Sequence, residues 1–201
     1  MTIIKSLSDI EIDALKEVAN ISGSHAANAL YQLLDKKVMI QVPKAVSGNL
    51  GDVMIKIAEP HDVVISVVFN FIGDIRGKTL IIYPCDEITS LTSMLLRENH
   101  VQMQESFIRE MSSILSCAYV NAISNLLNIL IIPSIPSMTL NILGNTFSNV
   151  VHSYGEDKDF VFCIVTECKI GEEGEPLNAY FMFLPESDSL KKILGKMNLR
   201  D

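Results

Sequence analysis

Residues 13–20, "DALKEVAN", set Asp13, Glu17 and Asn20 apart by steps of four and then three. At about 100° per residue, those steps keep the three side chains within roughly 60° of arc on one helix face. Two carboxylates and a carboxamide in a row can pair with cations and can both donate and accept hydrogen bonds. Leu15, Val18, Ser22, Ala29 and Leu33 project the opposite way, so the helix should pack on that back and turn its polar stripe to solvent. Any surface helix shows such a pattern, so the meaning of the trio rests on the rest of the chain.

The totals describe a globular protein: 201 residues, 48% hydrophobic, 20% charged and 6% aromatic, enough for one compact domain or two small halves sharing a core. A net charge of −8 and a pI near 5.0 repel polyanions at long range, which argues against nucleic acid and against an anionic membrane surface. Mean hydropathy is +0.30, yet the apolar runs "VVISVVFNFIG" and "LLNILIIPSIP" are broken long before membrane-spanning length. They read as buried strands and helix ends. The N-terminus turns acidic where a secretory signal would carry its apolar core, so a cytoplasmic protein is expected.

Cys85, Cys117, Cys163 and Cys168 form no CxxC pair and read as buried free thiols. His25, His61, His100 and His152 are dispersed without metal-ligand spacing, so no metal site is expected. GxGxxG, Walker, GxSxG and HExxH patterns are all missing from the sequence.

Sliding the chain on itself by 93 positions brings Glu17 onto Glu110, Asn28 onto Asn121, Ala29 onto Ala122 and Pro43 onto Pro136. Apolar positions follow: Val18 meets Met111, Ile21 meets Ile114, Leu33 meets Leu126 and Leu34 meets Leu127. Residues 62–84 and 159–185 each have the form of two β-rich runs around a turn, ending in Pro, and each leads into a short helix for which Asp86 and Ser187 are candidate N-caps. Ser8 and Glu11 have capping-box spacing at the start of the first long helix; the second is expected over about 104–130.

The expectation is therefore an α/β protein of α+β type: a single domain over 1–201 made of two helix–strands–helix repeats, about 7–98 and 100–198. The halves should join edge to edge about a pseudo-two-fold axis, with a continuous antiparallel-rich sheet and the two long helices side by side on one face.

Asp13, Glu17 and Asn20, followed by twenty-two residues and then Pro43, resemble the signature of the CheC/CheX/FliY family of bacterial chemotaxis phosphatases. "NISGSHAANAL" is similar to the small-residue run that family carries after the Asn. The duplicated helix, and a chain that ends at Asp201, resemble the family's CheC branch most.

The resemblance implies hydrolysis of the aspartyl phosphate on the response regulator CheY, a protein partner that binds Mg²⁺ itself; no cofactor is then needed on this chain. It implies that Asn20 enters the partner's site and orients the attacking water, a task suited to a group that donates and accepts without bringing negative charge to the phosphoryl oxygens. Glu17 would dock the receiver by pairing with one of its cations, by family analogy its active-site Lys. Asp13 supports positioning, and Pro43 and Pro136 are structural. The receptor deamidase CheD is a further partner suggested by the resemblance, and a non-catalytic adaptor for it or for phosphorylated receiver is the alternative function.

The second stripe, Ser106, Glu110 and Ser113, departs from the pattern. Serine is within the family's habits at the first position but not at the third. Its hydroxymethyl is shorter than a carboxamide and has no NH₂, so this site is expected to dock but to catalyse weakly or not at all.

Overall fold

A computed structural model describes residues 7–40, 44–48, 60–96, 101–152, 161–170 and 177–199. Helix α1 spans Asp9–Leu34 and is followed by strands β1 (Val38–Ile40), β2 (Lys44–Gly48), β3 (Val63–Gly73) and β4 (Gly77–Pro84), then helix α2 (Cys85–Leu96). Helix α3 (Val101–Leu127) is followed by β5 (Ile131–Pro133), β6 (Ser137–Ile142), helix α4 (Leu143–His152), β7 (Val161–Ile170), β8 (Leu177–Pro185) and helix α5 (Ser187–Lys196).

The strands form one antiparallel eight-stranded sheet in the order β1-β7-β8-β4-β3-β5, with β2 also on β7 and β6 also on β3. Hairpins β3–β4 and β7–β8 meet at the centre through β4 and β8. The expected edge-to-edge joining is thus only part of the arrangement. The strands that follow α1 cross to the second hairpin, and those that follow α3 cross to the first. This exchange pairs β3 and β7, which would otherwise be open edges. It also lays α1 over β1, β2 and β7, and α3 over β3 and β5.

Alternation along the central strands serves two layers. Val67, Phe69, Phe71, Ile81, Tyr83, Phe181 and Phe183 face the core under α1 and α3, whereas Val64, Leu80, Ile82, Met182 and Leu184 face a second core with Leu143, Phe147 and Val150 of α4. Strands buried on both faces need the near-continuous apolar runs that the sequence shows. Phe71 stacks on Phe183 with ring centroids 5.0 Å apart.

The two long helices pack against each other on one face of the sheet. Their buried positions repeat at the 93-residue offset: Leu15 and Ile108, Val18 and Met111, Ala19 and Ser112, Ser22 and Leu115, Gly23 and Ser116, Ala26 and Tyr119, Leu30 and Ile123, Leu34 and Leu127. From Ser22 onward the shared row advances by four residues, along an i±4 ridge. That drift explains two departures from the sequence reading: Leu33 is exposed and Ala29 half-buried, because by the end of the helix the packed row has rotated to Leu30 and Leu34.

The capping box at Ser8 is complete: the Glu11 backbone N–H donates to Ser8 Oγ, and the Ser8 backbone N–H donates to Glu11 Oε2 at 2.7 Å. It also accounts for a carboxylate that is only 4% exposed. At the starts of α2 and α5 the expected caps lie inside the helix instead. Asp86 lies inside the first turn of α2, favourable against the helix dipole, and Ser187 is the first residue of α5 with Glu186 as its N-cap. Helix α3 starts three residues earlier than expected and ends at Leu127, with Asn128 in the left-handed region that closes helices.

Candidate functional site

Helix α1 places Asp13 and Glu17 exposed and Asn20 half-buried on the face away from the core, while Leu15, Val18, Ala19 and Ser22 are buried beneath them. The outward stripe expected from spacing is therefore present. Among the described residues, the carboxamide of Asn20 makes no intramolecular hydrogen bond and Glu17 no ion pair. Only Asp13 is engaged, 3.3 Å from Lys16 Nζ one turn on. Such an exposed pair contributes at most about 1 kcal/mol and leaves both carboxylate and ammonium open to a partner.

The second stripe has the same frame. Ser106 and Glu110 are exposed and Ser113 half-buried, each matching its counterpart 93 residues earlier. The difference is chemical. Ser113 Oγ donates to the carbonyl of Arg109 at 2.7 Å, and Ser106 Oγ donates to that of Gln102 at 2.9 Å. A hydroxyl has one proton to give, so both donors are spent on their own helix. The sequence marked Ser113 by its shorter side chain and missing NH₂; the donation of its hydroxyl to the helix backbone is a further difference that the sequence did not show.

Pro136 is half-buried, and its carbonyl lies 3.5 Å from Arg109 Nη1, one residue from Glu110. The contact places the Pro136 backbone beside the flank of the second stripe. Pro43 lies outside the described residues.

Beneath this stripe α3 is pinned to the sheet by two buried hydroxyl pairs, Ser112 Oγ with Tyr83 Oη at 3.0 Å and Ser116 Oγ with Thr79 Oγ1 at 2.7 Å. At the equivalent positions α1 carries Ala19 and Gly23. Cys117 continues the second stripe one turn past Ser113. Burial pushes its thiol above the ordinary value, and the Glu110 carboxylate adds to that shift. Cys85 and Cys117 are free and half-buried rather than fully buried, and the side chains of Cys163 and Cys168 lie outside the described residues.

Among the described residues no group of three or more His, Cys, Asp or Glu could hold a metal ion. In the same residues no helix is long and apolar enough to cross a membrane. A cavity of about 480 Å³ is lined by Asp74, Ile75, Ile129, Lys192, Gly195 and Lys196. It lies beyond the C-terminal end of α3, and none of its lining residues belongs to either stripe.

A half-buried carboxamide and an exposed carboxylate on one helical ridge, with no cluster of metal-ligating groups among the described residues, can orient or pair with groups that another molecule brings. Residues 10–47, which contain the first stripe, match the model of the CheC-like family. Over that segment the chain resembles the CheC-like family. It is similar to the CheY-P phosphatase CheC of Bacillus subtilis, 25% identical over 203 residues that cover 96% of each chain. Among solved structures it is similar in fold to Thermotoga maritima FliY, with a TM-score of 0.76, 17% identity, and coverage of 97% of this chain and 99% of that one. It also shares the fold of CheX in the CheX–CheY–BeF₃–Mg²⁺ complex from Borrelia burgdorferi, with a TM-score of 0.54, 11% identity, and coverage of 84% and 98%. The mixed helical and antiparallel architecture of this chain is thus the architecture of its fold neighbours.

Proposed function

We propose that this chain accelerates hydrolysis of the aspartyl phosphate of a CheY-type response regulator, with the stripe of α1 as the working surface. The observation that carries the reading is the outward ridge on which Asn20 presents a carboxamide free of intramolecular bonds among the described residues, one turn from an unpaired Glu17. The receiver supplies the phosphorylated Asp and its Mg²⁺. Asn20 holds a water in line with the acyl–phosphate bond; the water oxygen bonds to phosphorus as the P–O bond to the carboxylate breaks. The partner's Asp is restored as a carboxylate, and the water's protons leave on inorganic phosphate and to solvent. Glu17 anchors the complex through a receiver cation, and Asp13 supports positioning.

The stripe of α3 docks through Glu110 and turns over slowly, because Ser113 has neither the reach nor a free proton for the water. The same reading treats about 7–98 and 100–198 as repeats of one domain, supported by the burial pattern that recurs 93 residues apart, and places its work in the cytoplasm, where a response regulator acts.

The test mixes a catalytic amount of intact protein with phosphorylated receiver and Mg²⁺ and follows loss of label beside the Asn20→Ala variant. Decay faster than the receiver's own, nearly abolished by the substitution and little changed by Ser113→Ala, is expected. Binding without acceleration overturns the enzymatic reading in favour of an adaptor for phosphorylated receiver or for CheD. Equal losses from the two substitutions overturn the assignment of α1 as the working stripe.

A further inference from the structure

Three residues before Asp13, at the head of the same arc, Ile10 is 71% exposed; three residues before Ser106, Met103 is 47% exposed. These two positions are themselves related by the 93-residue offset. Stepping from 10 to 13, 17 and 20 keeps all four side chains within about 80° of arc and spreads them over about 15 Å of helical rise. A single exposed aliphatic needs no explanation. Exposed pairs recur at this offset elsewhere, at Leu33 and Leu126 and at Met39 and Ile132, but Ile10 and Met103 each head a polar stripe in the first turn of a long helix and so place an apolar contact at the same point of both surfaces.

We infer that Ile10 is the apolar anchor that seats the receiver on α1, and that Met103 performs the same service on α3; this rests on the proposed function above. The occupant follows from continuity. A stable protein interface covers about 800 Å² of each partner, a patch far longer than the 15 Å ridge. A receiver that brings its phosphoryl group to Asn20 and a cation to Glu17 therefore also covers Ile10. Apolar burial there adds affinity that does not depend on the phosphoryl group, whereas Asn20 acts only once the complex is formed. Ile10 is thus a positioning residue and touches no reacting atom.

The experiment measures kcat and KM for phosphorylated receiver with the intact protein, Ile10→Ser, Ile10→Leu and Asn20→Ala, after circular dichroism has confirmed an unchanged fold. Ile10→Ser should raise KM about tenfold with kcat unchanged, and Ile10→Leu should restore most of the loss. Asn20→Ala should lower kcat instead. An unchanged KM in Ile10→Ser, or a fall in kcat alone, overturns the inference while leaving the phosphatase reading intact. Absence of acceleration by the intact protein is a failure of that reading, and there a direct titration of BeF₃-activated receiver still decides whether Ile10→Ser weakens docking.

Discussion

Replacing Ser113 by Asn should create a second working stripe. The frame is already present: eight buried positions beneath the two stripes coincide at the 93-residue offset, and Glu110 is exposed as Glu17 is. What the site lacks is a carboxamide, since the Ser113 hydroxyl is shorter and donates at 2.7 Å to Arg109 of its own helix. Positioned polar groups of this kind contribute about 2.7–4 kcal/mol to a transition state, or a factor of roughly 10²–10³ in rate. Asn20→Ala alone should therefore lower phosphatase turnover about 10²–10³-fold. Ser113→Asn in that background should recover up to the rate of one intact stripe, and Ser113→Asn in the wild-type background should at most about double it. The assay is release of inorganic phosphate from phosphorylated receiver under multiple turnover, corrected for the receiver's own decay. If the double variant stays at the level of Asn20→Ala while Ser113→Asn remains folded, matching burial does not make the two surfaces equivalent. The Pro136 loop held by Arg109 would then be the first place to look for an obstruction.

Two further outcomes test the frame and the electrostatics. A Cβ built on Gly77 would lie 2.3 Å from the Leu184 carbonyl oxygen, 2.5 Å from Phe71 Cζ and 2.8 Å from Pro185 Cα, so Gly77→Ala must push β8 away at the central seam. A cost of about 3 kcal/mol is expected, seen as a thermal midpoint about 6–12 °C lower; a change under 2 °C would mean the seam is soft. Cys117 should alkylate slowly at neutral pH, because burial and then Glu110 hold its thiol protonated, and Glu110→Gln should lower the pKa read from the pH dependence of the rate. The sign is fixed: a thiol whose folded pKa lies above its unfolded value contributes fully below the unfolded pKa, and that contribution is lost as pH rises through the folded one. An unchanged profile in Glu110→Gln would place the carboxylate too far away to act.

The readable part of the fold was the part written in periods. Apolar positions in α1 and α3 repeat at helical spacing, and β3, β4 and β8 carry alternation dense enough to announce strands buried on both faces. The exchange of β1 and β2 onto the second hairpin was not readable, because either outer strand offers the same backbone donors and acceptors and sequence does not say which is nearer. The site divided the same way. Spacing gave the azimuth of Asp13, Glu17 and Asn20, and comparison of the repeats gave Ser106, Glu110 and Ser113. The rotamer of Ser113, which sends its proton into the helix, and the reach of Arg109 to Pro136 depend on three-dimensional neighbours that no period encodes. Ile10 and Met103 were within reach of the same repeat comparison, but Leu33 and Leu126, and Met39 and Ile132, are exposed pairs at the same offset, so only their place at the heads of the two stripes marks them.

The two long helices also explain how one stripe could lose its carboxamide while the fold stayed intact. Stability and function sit on opposite faces of the same element. Inward, Ser112 and Ser116 bond Tyr83 and Thr79, and Leu115, Tyr119 and Ile123 fill the core, so a change there leaves an unpaired hydroxyl or a cavity costing about 1–5 kcal/mol. Outward, a substitution at 106, 110 or 113 touches little of the protein itself and changes stability by about 0.5 kcal/mol or less. Nothing in folding therefore holds an Asn at 113. If the first copy performs the reaction as proposed, the second is free to keep its carboxylate and exchange its amide, and the helix beneath it registers no difference.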